Sequence, residues 1–158
     1  MTHQQNLQHL DAVLLTLWVG SLWSIGYLAV PILFQAQPDK QMAGMLAGEM
    51  FRVQSLAGIV CGLYLLGRSG LMAGKAAMRQ PFFLTIALML ALTLLITFGI
   101  QPLMAQLKAQ ALPLEVMQSA LANKFALWHG ISSILYLLES LLGALAVVLF
   151  FRTALPRN

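Results

Sequence analysis

Residues 125–151 read FALWHGISSILYLLESLLGALAVVLFF, and Glu139 is the one Asp, Glu, Lys or Arg among them. A helix needs about 20 apolar residues to cross the roughly 30 Å hydrocarbon core of a bilayer, and this stretch is longer than that. Because a chain in lipid must satisfy its own backbone hydrogen bonds, a helix is the structure that suits such a stretch. The sequence therefore predicts a transmembrane helix here.

Three further apolar stretches precede it, at residues 12–34, 53–73 and 82–104. Of the 158 residues, 59% are hydrophobic and 9% are charged, whereas soluble domains carry about a quarter charged residues. No compact soluble core could bury this much apolar surface, which excludes a water-soluble globule, a disordered tail and a fibrous repeat. We expect an all-α membrane protein whose single domain, residues 1–158, is a four-helix transmembrane bundle.

The connection after the first stretch has a helical pattern of its own. Pro38 and Asp39 are typical of a turn, and apolar residues then recur at helical spacing over residues 41–51. A short interfacial helix lying on the membrane surface fits this pattern. We therefore expect one such helix between the first and second spans.

Four spans place both termini on one side of the membrane. That side holds five cations (Arg68, Lys75, Arg79, Arg152, Arg157) and the other holds four (Lys40, Arg52, Lys108, Lys124). Because Lys and Arg collect on the cytoplasmic side, and acidic residues count little, the distribution favours cytoplasmic termini. Arg68 lies one turn from the end of its span, so its side chain could extend to the headgroups.

The net charge of +4 does not indicate a nucleic-acid partner, because the cations lie at the ends of apolar stretches and no basic patch contains interleaved aromatic residues. The partner that the composition indicates is the lipid bilayer. A membrane-protein partner or a homo-oligomer is compatible with it. The lone Cys61 excludes an intramolecular disulfide.

The fourth span carries a polar stripe. On a helix its members fall within a sector of roughly 100°, and they are His129, Ser132, Ser133, Tyr136, Ser140 and Gly143. Since hydroxyl groups gain nothing by facing lipid, the stripe should face the interior of the bundle. It could serve only to join neighbouring helices, or it could form a functional site.

Glu139 lies near the middle of the same span. An acidic residue inside the membrane is costly, so its presence suggests a functional role. A plainer interpretation is that a neutral Glu139 acts like a glutamine and bonds to the third span. It lies about 15 Å along the helix from His129, so the two cannot form a direct pair. The third span offers Thr93, Thr97 and Gln101 at a spacing of four. We expect a polar seam for a small ligand, a proton relay or a partner helix, formed by His129, Ser133, Tyr136 and Glu139 with Thr93, Thr97 and Gln101.

Two backbone features accompany the seam. Gly58-x-x-x-Gly62 in the second span predicts a surface for close packing. In the third span Pro102 cannot donate a backbone N–H to the carbonyl of Phe98, and should kink the helix near one end.

Signals for catalysis and metal binding are weak. The sequence has no Ser/His/Asp arrangement, phosphate loop or zinc-type spacing. Nine methionines suggest copper(I), because thioethers select soft ions, but no closely spaced His/Cys cluster accompanies them. We predict a non-enzymatic protein with no catalytic or metal-ligating residues, and no cofactor is predicted.

Three segments together resemble a known family: Gly26-Tyr-Leu-Ala-Val-Pro-Ile-Leu-Phe34, Ala43-Gly-Met-Leu-Ala-Gly-Glu-Met-Phe51 and Trp128-His-Gly-Ile-Ser-Ser133. The pattern resembles bacterial members of domain-of-unknown-function family 4149, related to the transmembrane protein 205-like group. The resemblance implies a four-helix protein of the bacterial cytoplasmic (inner) membrane with no established biochemical activity.

That family is distantly similar to the CopD copper-export domains and the HemJ-type protoporphyrinogen oxidases. This similarity implies the alternative of a haem- or copper-linked redox or transport protein. The haem-binding oxidases have a His in the first helix and a Lys in a later one. Here the first span contains no His, and no span contains a Lys. The residues therefore do not repeat the haem-binding pattern.

Overall fold

The computed structural model of the protein describes residues 3–112 and 114–154, and nearly all of them are helical. The elements in order are α1 (His3–Ser24), a π segment (Ile25–Ala29), α2 (Val30–Ala36), α3 (Lys40–Ala73), a 3-10 segment (Gly74–Arg79), α4 (Pro81–Leu94), a second π segment (Leu95–Ile100), α5 (Gln101–Ala111), a 3-10 turn (Val116–Gln118) and α6 (Ala122–Ala154).

These elements form four spans that are long and apolar enough to cross a membrane: Gln5–Ala36, Lys40–Arg79, Pro81–Ala111 and Ala122–Arg152. No strand occurs in the described ranges. Neighbouring spans are antiparallel because short connections join them. The first packs on the second and fourth, and the third packs on the same two. The predicted all-α, four-helix membrane protein is confirmed.

The connections define two ends of the bundle. We call the end with residues 5, 79–81 and 152 the terminal side. We call the end with the connections that follow Ala36 and Ala111 the loop side. The first and third spans run from the terminal side to the loop side, and the second and fourth run back.

The expected separate interfacial helix at residues 41–51 is not present. The segment is helical, but it forms the first turns of α3, which continues unbroken from Lys40 to Ala73. Asp39 caps the start, because its side chain accepts hydrogen bonds from the backbone N–H groups of Gln41 and Met42. No proline follows before the second apolar stretch, and the helix continues through Gly44 and Gly48. Gly74, at φ 53°, ends it on the terminal side.

Both π segments stand directly before a proline. Ile25–Ala29 ends two residues before Pro31, and Leu95–Ile100 ends two residues before Pro102. A proline in a helix removes one hydrogen bond and clashes with the carbonyl of the preceding turn, so the helix must bend or widen there. The disturbance expected at Pro102 takes the form of a wider π turn.

Trp18 occupies the centre of the bundle and is fully buried. A Cβ atom at Gly58 or at Gly62 would collide with its ring, so glycine at both positions leaves room for the indole. The rest of the core cluster comes from all four spans: Leu15, Val19, Cys61, Leu65, Ile86, Met89, Leu90 and Ala146. The predicted close-packing surface of the second span thus receives a side chain of the first.

The outer surface of the bundle is apolar. Large hydrophobic side chains such as Val60, Leu71, Leu88 and Phe98 are exposed. In water such a surface would be a liability, whereas in a bilayer it contacts lipid chains that are equally apolar. The exposed apolar belt therefore agrees with a multi-pass protein in a lipid environment.

Arg68 does not extend toward headgroups but forms an ion pair inside the bundle. Its Nε lies 2.5 Å from Oδ2 of Asp11, and both side chains are largely buried. The pair joins the second span to the first near the terminal side. This partner of Arg68 was not predicted, because Asp11 precedes the first apolar stretch and is distant along the chain.

Candidate functional site

Glu139 is buried inside the bundle, near the middle of the fourth span. Its exposed fraction is 2%. It lies on α6, on the side that packs against α4 of the third span. An acid at this depth has no water to solvate it and depends on the groups that the neighbouring helices supply.

Thr93 of α4 supplies the hydrogen-bond partner. Its Oγ1 lies 2.6 Å from Oε1 of Glu139 and 3.0 Å from the backbone oxygen of Met89, one turn earlier in its own helix. A threonine hydroxyl has one proton and can donate it once. Both short distances are satisfied when Thr93 donates to Met89 and a protonated Glu139 donates to Thr93. The geometry therefore suits a Glu139 that carries a proton.

Trp18 reaches the same region from the first span. Its indole N–H is close to the Glu139 carboxyl, but it has no partner that meets hydrogen-bond geometry among the described residues. Gly58 lies directly against the same edge of the ring. The first, second, third and fourth spans thus all contribute to the surroundings of Glu139.

Three more buried polar atoms lack a partner within the described ranges: Oδ1 of Asp11, near the terminal side, and Nε2 of Gln54 and Oγ1 of Thr97. Gln54 lies one turn from Gly58 on α3, and Thr97 lies one turn from Thr93 on the third span. Both are displaced from the level of Glu139 toward the loop side. Buried donors without a protein partner are expensive and are commonly bonded to internal water.

In the opposite direction the side chains next to this region are apolar. Between Glu139 and the terminal side the interior is filled by the core cluster, in which Leu15, Leu65 and Ile86 are buried. The surroundings of Glu139 are therefore asymmetric. Polar groups continue from Glu139 toward the loop side, whereas toward the terminal side a layer of packed hydrocarbon side chains precedes the Arg68–Asp11 pair.

The structure brings together only part of the predicted seam. Thr93 and Glu139 are in contact, Thr97 follows Thr93 by one turn, and half-buried Gln101 follows Thr97 by another. Tyr136 is half-buried but turns to the first span, where its hydroxyl donates to the Leu22 carbonyl at 2.5 Å. Its ring fills the space left by Gly26, where a Cβ would overlap it.

His129 and Ser133 lie outside this cluster. Both are exposed; His129 stacks on Phe125 with ring centroids 6.0 Å apart, and Ser133 donates to the His129 backbone carbonyl. The reason lies in the third span. Its α4 half packs closely along α6, whereas its α5 half, beyond the π segment and Pro102, makes few contacts with α6. The loop-side part of the stripe is therefore only sparsely covered by α5.

Trp18 and Gln54 belong to the site but were not predicted from the sequence. Gly58-x-x-x-Gly62 was a usable signal, because such a surface receives a closely packed group. Gln54 lies at the start of the second apolar stretch, where polar residues are common and do not by themselves indicate a buried site. Neither signal identifies which span supplies the partner.

The described residues contain no group of three or more His, Cys, Asp and Glu side chains that could hold a metal ion. Cys61 is buried in the core as a free thiol. The arrangement around Glu139 thus places a carboxyl group, which can bind a proton, near hydroxyl and amide groups of the neighbouring spans.

Comparison with known proteins gives one match. No curated protein and no solved structure matches the chain, so the distant similarity to CopD and HemJ has no support from these comparisons. The sequence profile of one family matches residues 13–113, which include Trp18, Gln54 and Thr93 but not Glu139. The match covers the first three spans and more than half of the chain, and the chain therefore belongs to the DUF4149 family, a domain of unknown function.

Proposed function

We propose that this membrane protein binds a proton at Glu139 and relays it within the bilayer. The observation that supports the proposal is the buried Thr93–Glu139 contact, 2.6 Å long, between the third and fourth spans. A carboxyl group in this position is costly unless it is neutral or paired with a cation, and no cation faces it among the described residues. In this proposal the protein is not an enzyme, because Glu139 exchanges a proton and no other bond breaks.

The proton enters from the loop side. Gln101, Thr97 and Gln54 provide polar positions in that direction, and internal water would connect them. Leu15, Leu65 and Ile86 close the terminal side. Release on the terminal side then requires a change in helix packing. The π segments before Pro31 and Pro102 are the places where such a change is cheapest, because their hydrogen bonding is already irregular.

Proton flux into liposomes tests the proposal. The purified protein is reconstituted, a pH gradient is imposed, and the internal pH is followed with an entrapped dye. We expect flux that Glu139→Gln abolishes, because the amide keeps the shape of the side chain but holds no exchangeable acid proton. Ser133→Ala is the matched control, since Ser133 lies on the same helix but is exposed.

Two results contradict the relay. One is flux no greater than in protein-free liposomes, and the other is equal flux in the wild type and in Glu139→Gln. Infrared spectra provide a separate measurement of the bound proton, because a protonated carboxyl has a C=O band that Glu139→Gln removes. If Glu139→Gln removed this band but left the flux unchanged, Glu139 would bind a proton without relaying it, and the relay would be wrong.

We also propose that the protein lies in the bacterial inner membrane with both termini in the cytoplasm. The support is the five-to-four distribution of cations. The single natural cysteine, Cys61, is buried, which makes cysteine labelling a clean test. In intact spheroplasts an impermeant maleimide should label Gln37→Cys and leave Gln80→Cys, an exposed and uncharged position on the terminal side, unlabelled. The reverse pattern would invert the topology.

A further inference from the structure

An open groove runs between the first and fourth spans on the outer surface of the bundle. Its volume is about 640 Å³, within the range of roughly 300–1,000 Å³ that small-ligand sites occupy. Gly20, Ser24 and Ala144 make it hollow because their side chains are small, and Trp23 and Tyr27 form an aromatic wall. No charged residue lines it.

The base of the groove has a hydroxyl proton without an acceptor. The Tyr27 hydroxyl donates to Ser140 Oγ at 2.9 Å, and Ser140 is only 3% exposed. The two hydroxyl groups own two protons, and this hydrogen bond uses one. Thr93 and Ser133 each donate to a carbonyl one turn back in their own helices. Ser140 has no such bond within the described part of the chain, so one donor remains to be satisfied.

The depth of this donor limits what can accept its proton. Ser140 lies about 5 Å along the axis from the middle of the span Ala122–Arg152. The ester carbonyls of phospholipids lie at the edge of the hydrocarbon core, about 15 Å from the midplane. An unpaired hydroxyl in hydrocarbon costs several kcal/mol. Because the groove is open to the surrounding hydrocarbon and no charged residue lines it, the acceptor that suits this depth is a membrane-soluble molecule that carries a polar atom into the bilayer interior.

We propose that the groove binds a membrane-soluble carbonyl compound of the isoprenoid quinone class. The flat ring lies against Trp23 and Tyr27, which suits aromatic stacking. A ring carbonyl accepts the proton that the Tyr27–Ser140 pair leaves free. The hydrocarbon tail follows the apolar wall of Leu28, Leu137 and Leu141. This is a binding site only, and it does not rest on the role proposed for Glu139, which faces the interior rather than the groove.

Fluorescence quenching tests the inference. The protein is placed in nanodiscs of one phospholipid and titrated with a 1,4-benzoquinone that carries a single isoprene unit. We expect saturable quenching that Trp23→Phe greatly reduces, because Trp23 lines the groove. The double variant Tyr27→Phe/Ser140→Ala should weaken binding about tenfold or more, the factor expected when a hydrogen bond in an apolar site is lost. Ala144→Leu, which fills the groove, should abolish saturation.

The controls separate this site from the proton site. Ser133→Ala and Glu139→Gln should bind the probe as the wild type does. A benzene derivative with the same tail but no carbonyl should not compete. Circular dichroism of each variant shows whether its helices remain intact; if the double variant loses them, Ala144→Leu and the competition by the benzene derivative decide the test.

Several results would overturn the inference. These are quenching that rises linearly without saturation, an affinity unchanged in the double variant or in Ala144→Leu, and equal competition by the benzene derivative. A Gly20→Cys variant that forms a disulfide-linked dimer while excluding the quinone would also overturn it. That result would assign the groove to a second copy of the chain.

Discussion

The fit of Trp18 against the second span makes a quantitative prediction for Gly58→Ala. The added Cβ would collide with Nε1 of the indole and lie 2.9 Å from Cδ1 and 3.1 Å from Cε2. The ring cannot move away freely, because Gly62 contacts its other end, where a Cβ would lie 2.9 Å from Cη2. Overpacking of this kind costs about 1–3 kcal/mol.

Gly67→Ala is the matched control, because Gly67 lies on the same helix and, apart from its own helix backbone and chain neighbours, no atom in the described part of the chain comes within 4 Å of an added Cβ. Alanine gains about 1 kcal/mol over glycine in a helix interior at either position. This gain cancels when the two variants are compared. The free energy of unfolding of Gly58→Ala should therefore lie about 1–3 kcal/mol below that of Gly67→Ala.

Unfolding by sodium dodecyl sulfate in mixed micelles, followed by circular dichroism, measures the difference. A second measurement uses Trp18→Phe, whose smaller ring removes the collision. In the Gly58→Ala background this substitution should cost less than in the wild type, which gives a coupling energy in a double-mutant cycle. Equal stabilities of Gly58→Ala and Gly67→Ala, or a coupling energy near zero, would refute the packing of Trp18 described above.

Two further predictions concern buried polar contacts. Thr93→Val should lower the free energy of unfolding by about 1–3 kcal/mol relative to Thr85→Val, because it leaves Glu139 without a partner. Thr85 is the control, since its hydroxyl bonds only to a carbonyl of its own helix. Thermal unfolding of both variants measures the difference, and equal stabilities would argue against the Glu139 contact. Arg68→Ala should lower the free energy of unfolding by roughly 1–3 kcal/mol, between the values for exposed and buried ion pairs. Adding Asp11→Asn should recover part of this loss, because it removes the unpaired carboxylate. A double variant less stable than Arg68→Ala would contradict the ion pair.

The sequence was sufficient for the fold because each span is longer and more apolar than any soluble helix requires. It was also sufficient to identify Glu139, since an acidic residue in the middle of such a stretch stands out against its neighbours. The third-span partner was predictable as a set, and Thr93 proved to be the member in contact. These predictions depend on one helix at a time, which a single sequence describes well.

What the sequence could not provide was the identity of the neighbour at each depth. Periodicity placed His129 and Glu139 on related faces of one helix, yet only Glu139 is covered, because the third span separates from α6 beyond Pro102. For the same reason, no contact partner was predicted for Trp18 or for Arg68. Their partners, Gly58 and Asp11, are distant along the chain, and pairing them requires the order of the spans around the bundle.

The second π segment also affects the direction in which Thr93, Thr97 and Gln101 point. In an α-helix four residues turn about 40° beyond a full circle, so three residues at this spacing drift by roughly 80° around the axis. A π turn holds more residues per turn, so the steps that cross Leu95–Ile100 rotate less far. The drift is partly cancelled and the three side chains point in more similar directions. An irregularity made necessary by one proline thus aligns a polar row that regular geometry would wind around the helix.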